Sequence, residues 1–154
     1  MSVANFGPNY RVQSVTNLLV ADIVIPLDGA GAAEVVTPLI QTAAGVEIPL
    51  VLGEGVWALT ARCQINPANA ANTYGLIQSN LYQDAGIVAV CPLACGADVL
   101  GGANQLWYTS LSHFVTIAPG ATASFTFRLR TISNSAAIDV VTGYSNIVAT
   151  KLSV

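Results

Sequence analysis

The chain holds one histidine, His113, and three cysteines, Cys63, Cys91 and Cys95. These are the residue types from which nucleophilic, acid–base or metal chemistry would be assembled. A hydrolytic triad would use His113 as the base, a nearby hydroxyl as nucleophile and a carboxylate to orient the ring. Its nearest hydroxyls, Ser110 and Ser112, lie on the same strand-like run, and neither stands in a G-x-S-x-G turn. His113 alternates with Leu111 and Val115, which makes it a hydrogen-bonded residue of a sheet surface rather than a base. For zinc, "CPLAC" at 91–95 would supply Cys91 and Cys95, with Cys63 and His113 as further ligands. The second tight pair that a structural zinc site uses is missing. Cys91 also falls in the alternation Ile87, Ala89, Cys91, Leu93, which reads as core.

The carboxylates are no better placed. Asp28, Glu54, Asp84 and Asp98 sit in or beside turns, and no two acids share a strand at the i, i+2 spacing that could pair them for glycoside cleavage. "LGGAN" and "DGAGA" lack the lysine and the following helix of a phosphate-binding loop. The residues predict no enzyme, no metal and no cofactor. Five basic residues (Arg11, Arg62, Arg128, Arg130 and Lys151) in a chain of net charge −3 are too few to neutralise a phosphate backbone, so no nucleic-acid partner is expected.

Composition narrows the setting. Of 154 residues, 53% are hydrophobic and 8% charged, against about 25% charged in an ordinary soluble domain. The longest run free of both charge and strong polarity, near Gly86–Ala97, is broken by Pro92 and Gly96. A spanning helix needs about 20 apolar residues, so no membrane partner is expected. The opening "MSVANFGPNYRVQS" has no basic cluster followed by an apolar run, hence no secretion signal, and an odd number of cysteines makes a poor disulfide framework. These features predict synthesis in a reducing cytoplasm with the thiols free. A surface so poor in charge lacks the usual protection against association, which predicts an oligomer.

The elements that must position these residues are strands. No stretch of ten residues keeps helical spacing free of Gly, Pro and β-branched runs. Strand-like runs fall near 11–20, 22–27, 34–43, 46–51, 55–65, 74–83, 87–93, 105–117, 123–132, 138–142 and 145–153, separated by turn sequences such as "LDGAGA", "NPANAAN" and "APGA". In "GVWALTARCQI" the core side is Trp57, Leu59, Ala61, Cys63 and Ile65, leaving Arg62 outward. In 123–132 Phe125, Phe127 and Leu129 face in, while Arg128 and Arg130 face out. Residues 1–12, with Asn5, Phe6 and Tyr10, read as an extended N-terminal arm able to lie along a partner's sheet edge, and 13–154 as one β-sandwich domain.

Three segments carry a resemblance: "GEGVWALTARCQI" (53–65), "SLSHFVTIAPGATASFTFRLR" (110–130) and "YSNIVATKLSV" (144–154). They are similar to the opening strand, the turn-linked strand pair and the final core strand of the C1q and tumour-necrosis-factor jelly rolls. The resemblance implies a jelly-roll β-sandwich of two antiparallel sheets, forming a tight homotrimer. Without a secretion signal or collagen stalk, it points to bacteriophage and other virion surface proteins. The expected role is a capsid decoration (cement) protein in the virion, made in the host cytoplasm and bound to the major capsid protein or another virion protein. A receptor-binding fibre head and a small coat protein are the rival roles. In the decoration reading Arg62, Arg128 and Arg130 anchor carboxylates of a partner, since the planar guanidinium fork suits bidentate pairing.

Overall fold

The computed structural model describes residues 12–16, 23–27, 34–68, 75–95, 107–133 and 138–153. All regular structure among them is antiparallel β: β1 (Val12–Thr16), β2 (Ile23–Leu27), β3 (Glu34–Pro38), β4 (Leu50–Ala68), β5 (Gly75–Gln83), β6 (Gly86–Cys95), β7 (Trp107–Ser133) and β8 (Ile138–Ser153). Hydrogen bonding runs in the order β1-β8-β4-β7-β5-β6, with β2 also on β8 and β3 also on β7. None of the described residues forms a helix long and apolar enough to cross a membrane.

Two strands are shared between layers. The 55–65 part of β4 pairs with 107–117 of β7, and Leu50–Gly53 pairs with Thr122–Phe125. Between these stretches the register jumps from Gly53↔Thr122 to Gly55↔Ile117, so residues 118–121 of β7 loop out opposite Glu54 alone. The loop turns at Pro119 and Gly120, where φ is +73°, a backbone region that favours glycine. Its exposed N–H groups are not left idle: Gly120 donates to Glu54 Oε2 at 2.7 Å. Before the bend, β1, β2, β8, β4 and the first half of β7 make one layer. After it, β3, the start of β4, the second half of β7, β5 and β6 make the other. The result is a jelly-roll β-sandwich.

The two layers close on one apolar core. Trp57, Leu59, Ala61, Cys63, Leu111, Ile147 and Ala149 come from the first layer, and Leu52, Leu81, Phe125, Phe127 and Leu129 from the second. Trp57, Leu59 and Cys63 are at most 2% exposed, while the side chain of Ile65 lies outside the described residues. Across the gap Ser79 of β5 and Thr109 of β7 share a buried hydrogen bond of 2.7 Å, which satisfies both hydroxyls where they would otherwise be stranded. Trp57 Nε1–H donates to Gly53 O at 3.0 Å, and Lys151 stands 5.6 Å from the ring centroid.

The segmentation differs from the sequence expectation in two respects. Leu50 and Val51, the end of the run at 46–51, are one strand with 55–65, as are 107–117 with 123–132 and 138–142 with 145–153, because pairing resumes on the far side of each interruption. The run 34–43 stops at Pro38, beyond which Leu39 and Ile40 are both buried and strict alternation ends. There the chain makes a small hairpin, with Ile48 N–H on Ile40 O, Gln41 bridged to Glu47, and Gly45 at φ +79° closing the turn. At the other edge β6 pairs only with β5 among the described strands, and Ile87 and Val90 on it are exposed.

Trp57→Ala therefore removes the largest side chain of the central strand and is expected to cost about 3–5 kcal/mol in urea unfolding. Cys63→Ser, which strands a hydroxyl on the same face, should cost less but measurably. Wild-type stability in both variants would invert the facing assigned to β4.

Candidate functional site

The outer face of the first layer is the surface most clearly set apart from the core. The register brings outward positions into rows: Thr16, Asn146, Arg62 and Ser110 in one, and Ser14, Val148, Thr60 and Ser112 in the next. Alternation makes this face almost wholly hydroxyl, amide and valine, because its inner partners took the large apolar residues. Arg62 is its only charged side chain among the described residues, and no described residue forms an ion pair or hydrogen bond with its guanidinium. A shallow depression of about 270 Å³ opens there, lined by Thr60, Arg62, Asn146, Val148 and Thr150. Asn146 Nδ2 donates to Tyr144 Oη at 3.0 Å, whereas Asn146 Oδ1 is shielded from solvent with no donor. Around the depression Tyr108 is 72% exposed, Phe114 70% and Tyr144 56%.

The other two arginines are occupied within the chain. Arg128 Nε and Nη2 each donate to Glu47 at 2.7 Å in a bidentate pair, and the guanidinium carbon lies 4.6 Å over the Tyr82 ring. The Glu47 hydrogen bonds raise the Arg128 pKa above its ordinary value, against a smaller opposing effect of burial. The pair ties the 40–48 hairpin to the second layer. Arg130 Nη1 donates to Gln78 Oε1 at 3.2 Å. Asn5, Phe6 and Tyr10, the arm residues expected to touch a partner, lie outside the described residues.

The residues considered for catalysis and metal binding do not converge. His113 faces inward, half-buried, its ring 6.5 Å from that of Phe125, while Ser110 and Ser112 are exposed on the opposite face of the strand. The expected place of His113 at a sheet surface is thus corrected: the face it shares with Leu111 is the core side. Cys63 and Cys91 are in no disulfide, Cys91 packs half-buried on the core, and the Cys95 side chain lies outside the described residues. The described residues contain no group of three or more His, Cys, Asp or Glu placed to hold a metal. Burial pushes the Cys63 thiol from 9.0 up to about 12.

Three features had no signal in the sequence. Glu47 and Arg128 are 81 residues apart, so no local spacing pairs them. Asn80 and Thr126 occupy outward positions in the second layer yet are buried, with Asn80 Nδ2 and Oδ1 and Thr126 Oγ1 lacking partners. The shielded Asn146 Oδ1 depends on its neighbours across the sheet, which only the register reveals.

Comparison with known proteins adds distant likenesses. No family model matches the chain, and no curated protein does. Among solved structures it is similar to a chain from infectious bursal disease virus strain Gx, at 11% identity and TM-score 0.46, covering 94% of this chain and 38% of that one. The VP2 subviral particle of the same virus matches at 9% identity and TM-score 0.44, covering 94% and 37%. Eiger TNF from S. frugiperda matches at 12% identity and TM-score 0.40, covering 86% and 93%. The chain spans under two fifths of those viral chains. At such scores the fold rests on its own register and core.

Two measurements follow from the site's electrostatics. The unfolded Cys63 thiol ionises near 9 and the folded one near 12, so above pH 9 the unfolded state binds fewer protons. Stability conferred by the neutral buried thiol is complete below pH 9 and falls between 9 and 12, by up to about 1.4 kcal/mol per pH unit. The Cys63→Ala variant should show a shallower decline of urea midpoint over that range, and parallel curves would contradict the burial. For Glu47 and Arg128, whose side chains are 24% and 29% exposed, a double-mutant cycle should return a coupling of about 0.5–1 kcal/mol. A coupling of zero would mean that the hairpin is not held by this pair.

Proposed function

We propose that the chain is a structural virion protein, a trimeric jelly roll that decorates and cements the head of a bacteriophage and works by contact rather than catalysis. The observation that carries this reading is the outer face of the first layer. It is a broad, hydroxyl-rich sheet bearing one arginine and ringed by exposed aromatic residues, and it has almost none of the charge that keeps a solitary protein apart from its neighbours. Tyr and Arg are enriched where protein interfaces concentrate their energy, and charged residues are depleted there. The segmental resemblance to jelly rolls that trimerise supports the same reading. In a trimer three linked footprints on a capsid raise attachment far above that of one, without any new kind of contact.

Light scattering on the purified protein should give about three times the mass of one 15.9 kDa chain at micromolar concentration. A single-chain mass would refute the trimer. Images of the particle should place the protein at three-fold positions on the shell, and density at a fibre tip would refute decoration.

A further inference from the structure

We propose that the second layer binds internal water on its outer face, bridging the Asn80 amide of β5 to the Thr126 hydroxyl of β7 beneath a lid made by Tyr82 and Arg128. The four residues form one cell of the sheet, in which Asn80 pairs with Arg128 and Tyr82 with Thr126. Residues two apart on a strand share a face, so Asn80 and Thr126 lie on one diagonal of the cell and Tyr82 and Arg128 on the other. The second diagonal is closed by contact, with the Arg128 guanidinium carbon 4.6 Å over the Tyr82 ring. These two long side chains therefore cross above the two short ones. Glu47 holds the guanidinium there through two hydrogen bonds of 2.7 Å. Beneath them Asn80 is fully buried and Thr126 nearly so, and Asn80 Nδ2, Asn80 Oδ1 and Thr126 Oγ1 have no partner in the chain.

Three such atoms in one cell of the sheet have a common answer. A buried polar group without a partner bears its full desolvation cost, and inside proteins water bound to several such groups removes it. Water alone matches all three, because Asn80 Nδ2 needs an acceptor, Asn80 Oδ1 needs a donor and the Thr126 hydroxyl takes either. A small anion would leave Oδ1 unpaired, and a cation would face the charge of Arg128. Spacing agrees as well. Diagonal neighbours in a sheet stand about 7–8 Å apart, somewhat less between Cβ atoms, and one water spans about 5–6 Å between heavy atoms through two hydrogen bonds of about 2.8 Å. The first water, on Thr126, satisfies one end of the amide, and a second water on the first satisfies the other. Release requires the Tyr82–Arg128 contact to part, and Arg128 is tethered to Glu47 on the 40–48 hairpin. Exchange of this water is thus gated by local opening of that hairpin.

The test is magnetic relaxation dispersion of the water oxygen in a solution of the full chain, which counts long-lived waters and is blind to exchanging hydroxyl protons. Wild type should hold at least one more such water than Asn80→Leu, which keeps the bulk of the side chain and removes its amide. Thr126→Val, which keeps the shape and removes the hydroxyl, should lower the count as well, and it decides the matter if Asn80→Leu does not fold. Equal counts in wild type and in the folded variants would overturn the proposal. In the isotope-labelled wild type the Asn80 side-chain amide should show a water cross-peak whose sign marks a molecule that tumbles with the protein, and absence of that peak would overturn the bridge. Glu47→Gln, which keeps the shape of the tether without its charge, should shorten the residence time of the water about two- to fivefold. An unchanged residence time would overturn the role of Arg128 as the lid.

Discussion

The pairing of β4 with β7 is the constraint from which the rest of the molecule follows. Side chains alternate strictly along a strand, so a slip of one residue in this register would turn Trp57, Leu59 and Cys63 to solvent and carry Arg62 into the core. That exchange would unbury a tryptophan and bury an unpaired charge at the same time. Because both strands continue through the bend at Gly53–Gly55 and 118–121, the same register also fixes the start of β4 against Phe125 and hence the second layer. The Glu54 carboxylate on the Gly120 N–H pins the bend from outside. Core, bend and outer face are thus three consequences of one alignment.

The polar groups divide according to that alignment. Where two layers meet, Ser79 and Thr109 satisfy each other. Where the hairpin at 40–48 returns to the sheet, Glu47 and Arg128 meet over Tyr82. On the first layer's outer face, by contrast, Arg62 and Asn146 Oδ1 stand next to each other with nothing from the described chain to complete them. Buried donors and acceptors within proteins are nearly always paired. Asn146 Oδ1, like the Asn80 amide and Thr126 Oγ1, departs from that rule within the chain, whereas Arg62 is exposed to solvent.

Much of this could be read from the residues alone, and the reason is contrast. In "GVWALTARCQI" the inward residues are large and apolar while the outward ones are small or polar, so a period of two is visible without any alignment. The same holds for Phe125, Phe127 and Leu129. Legibility failed where local pattern and tertiary pairing disagree. Gly53, Pro119 and Gly120 have the chemistry of strand ends, yet here they make a bend inside continuous strands, since hydrogen bonding resumes beyond them. His113 was assigned its correct neighbours but the wrong surroundings, because a ring nitrogen says nothing about whether the face it shares is the inner one. The three arginines looked equivalent in alternation. Only the distant Glu47, brought round by a hairpin, separates Arg128 from Arg62.

The β6 edge has a consequence for association between copies of the chain. Gly86–Cys95 holds no charged residue and exposes Ile87 and Val90 along an outer margin paired on one side among the described strands. Unpaired margins of this kind are templates for runaway stacking between identical molecules. Two features blunt this one. The ladder to β5 is interrupted by bulges between Ile77 and Gln78 and between Leu81 and Tyr82, which twist the margin away from a flat match, and Pro92 contributes no N–H to any incoming strand. Between the two bulges only Ala89–Cys91 remains as regular margin carrying N–H groups, a short template for a second chain.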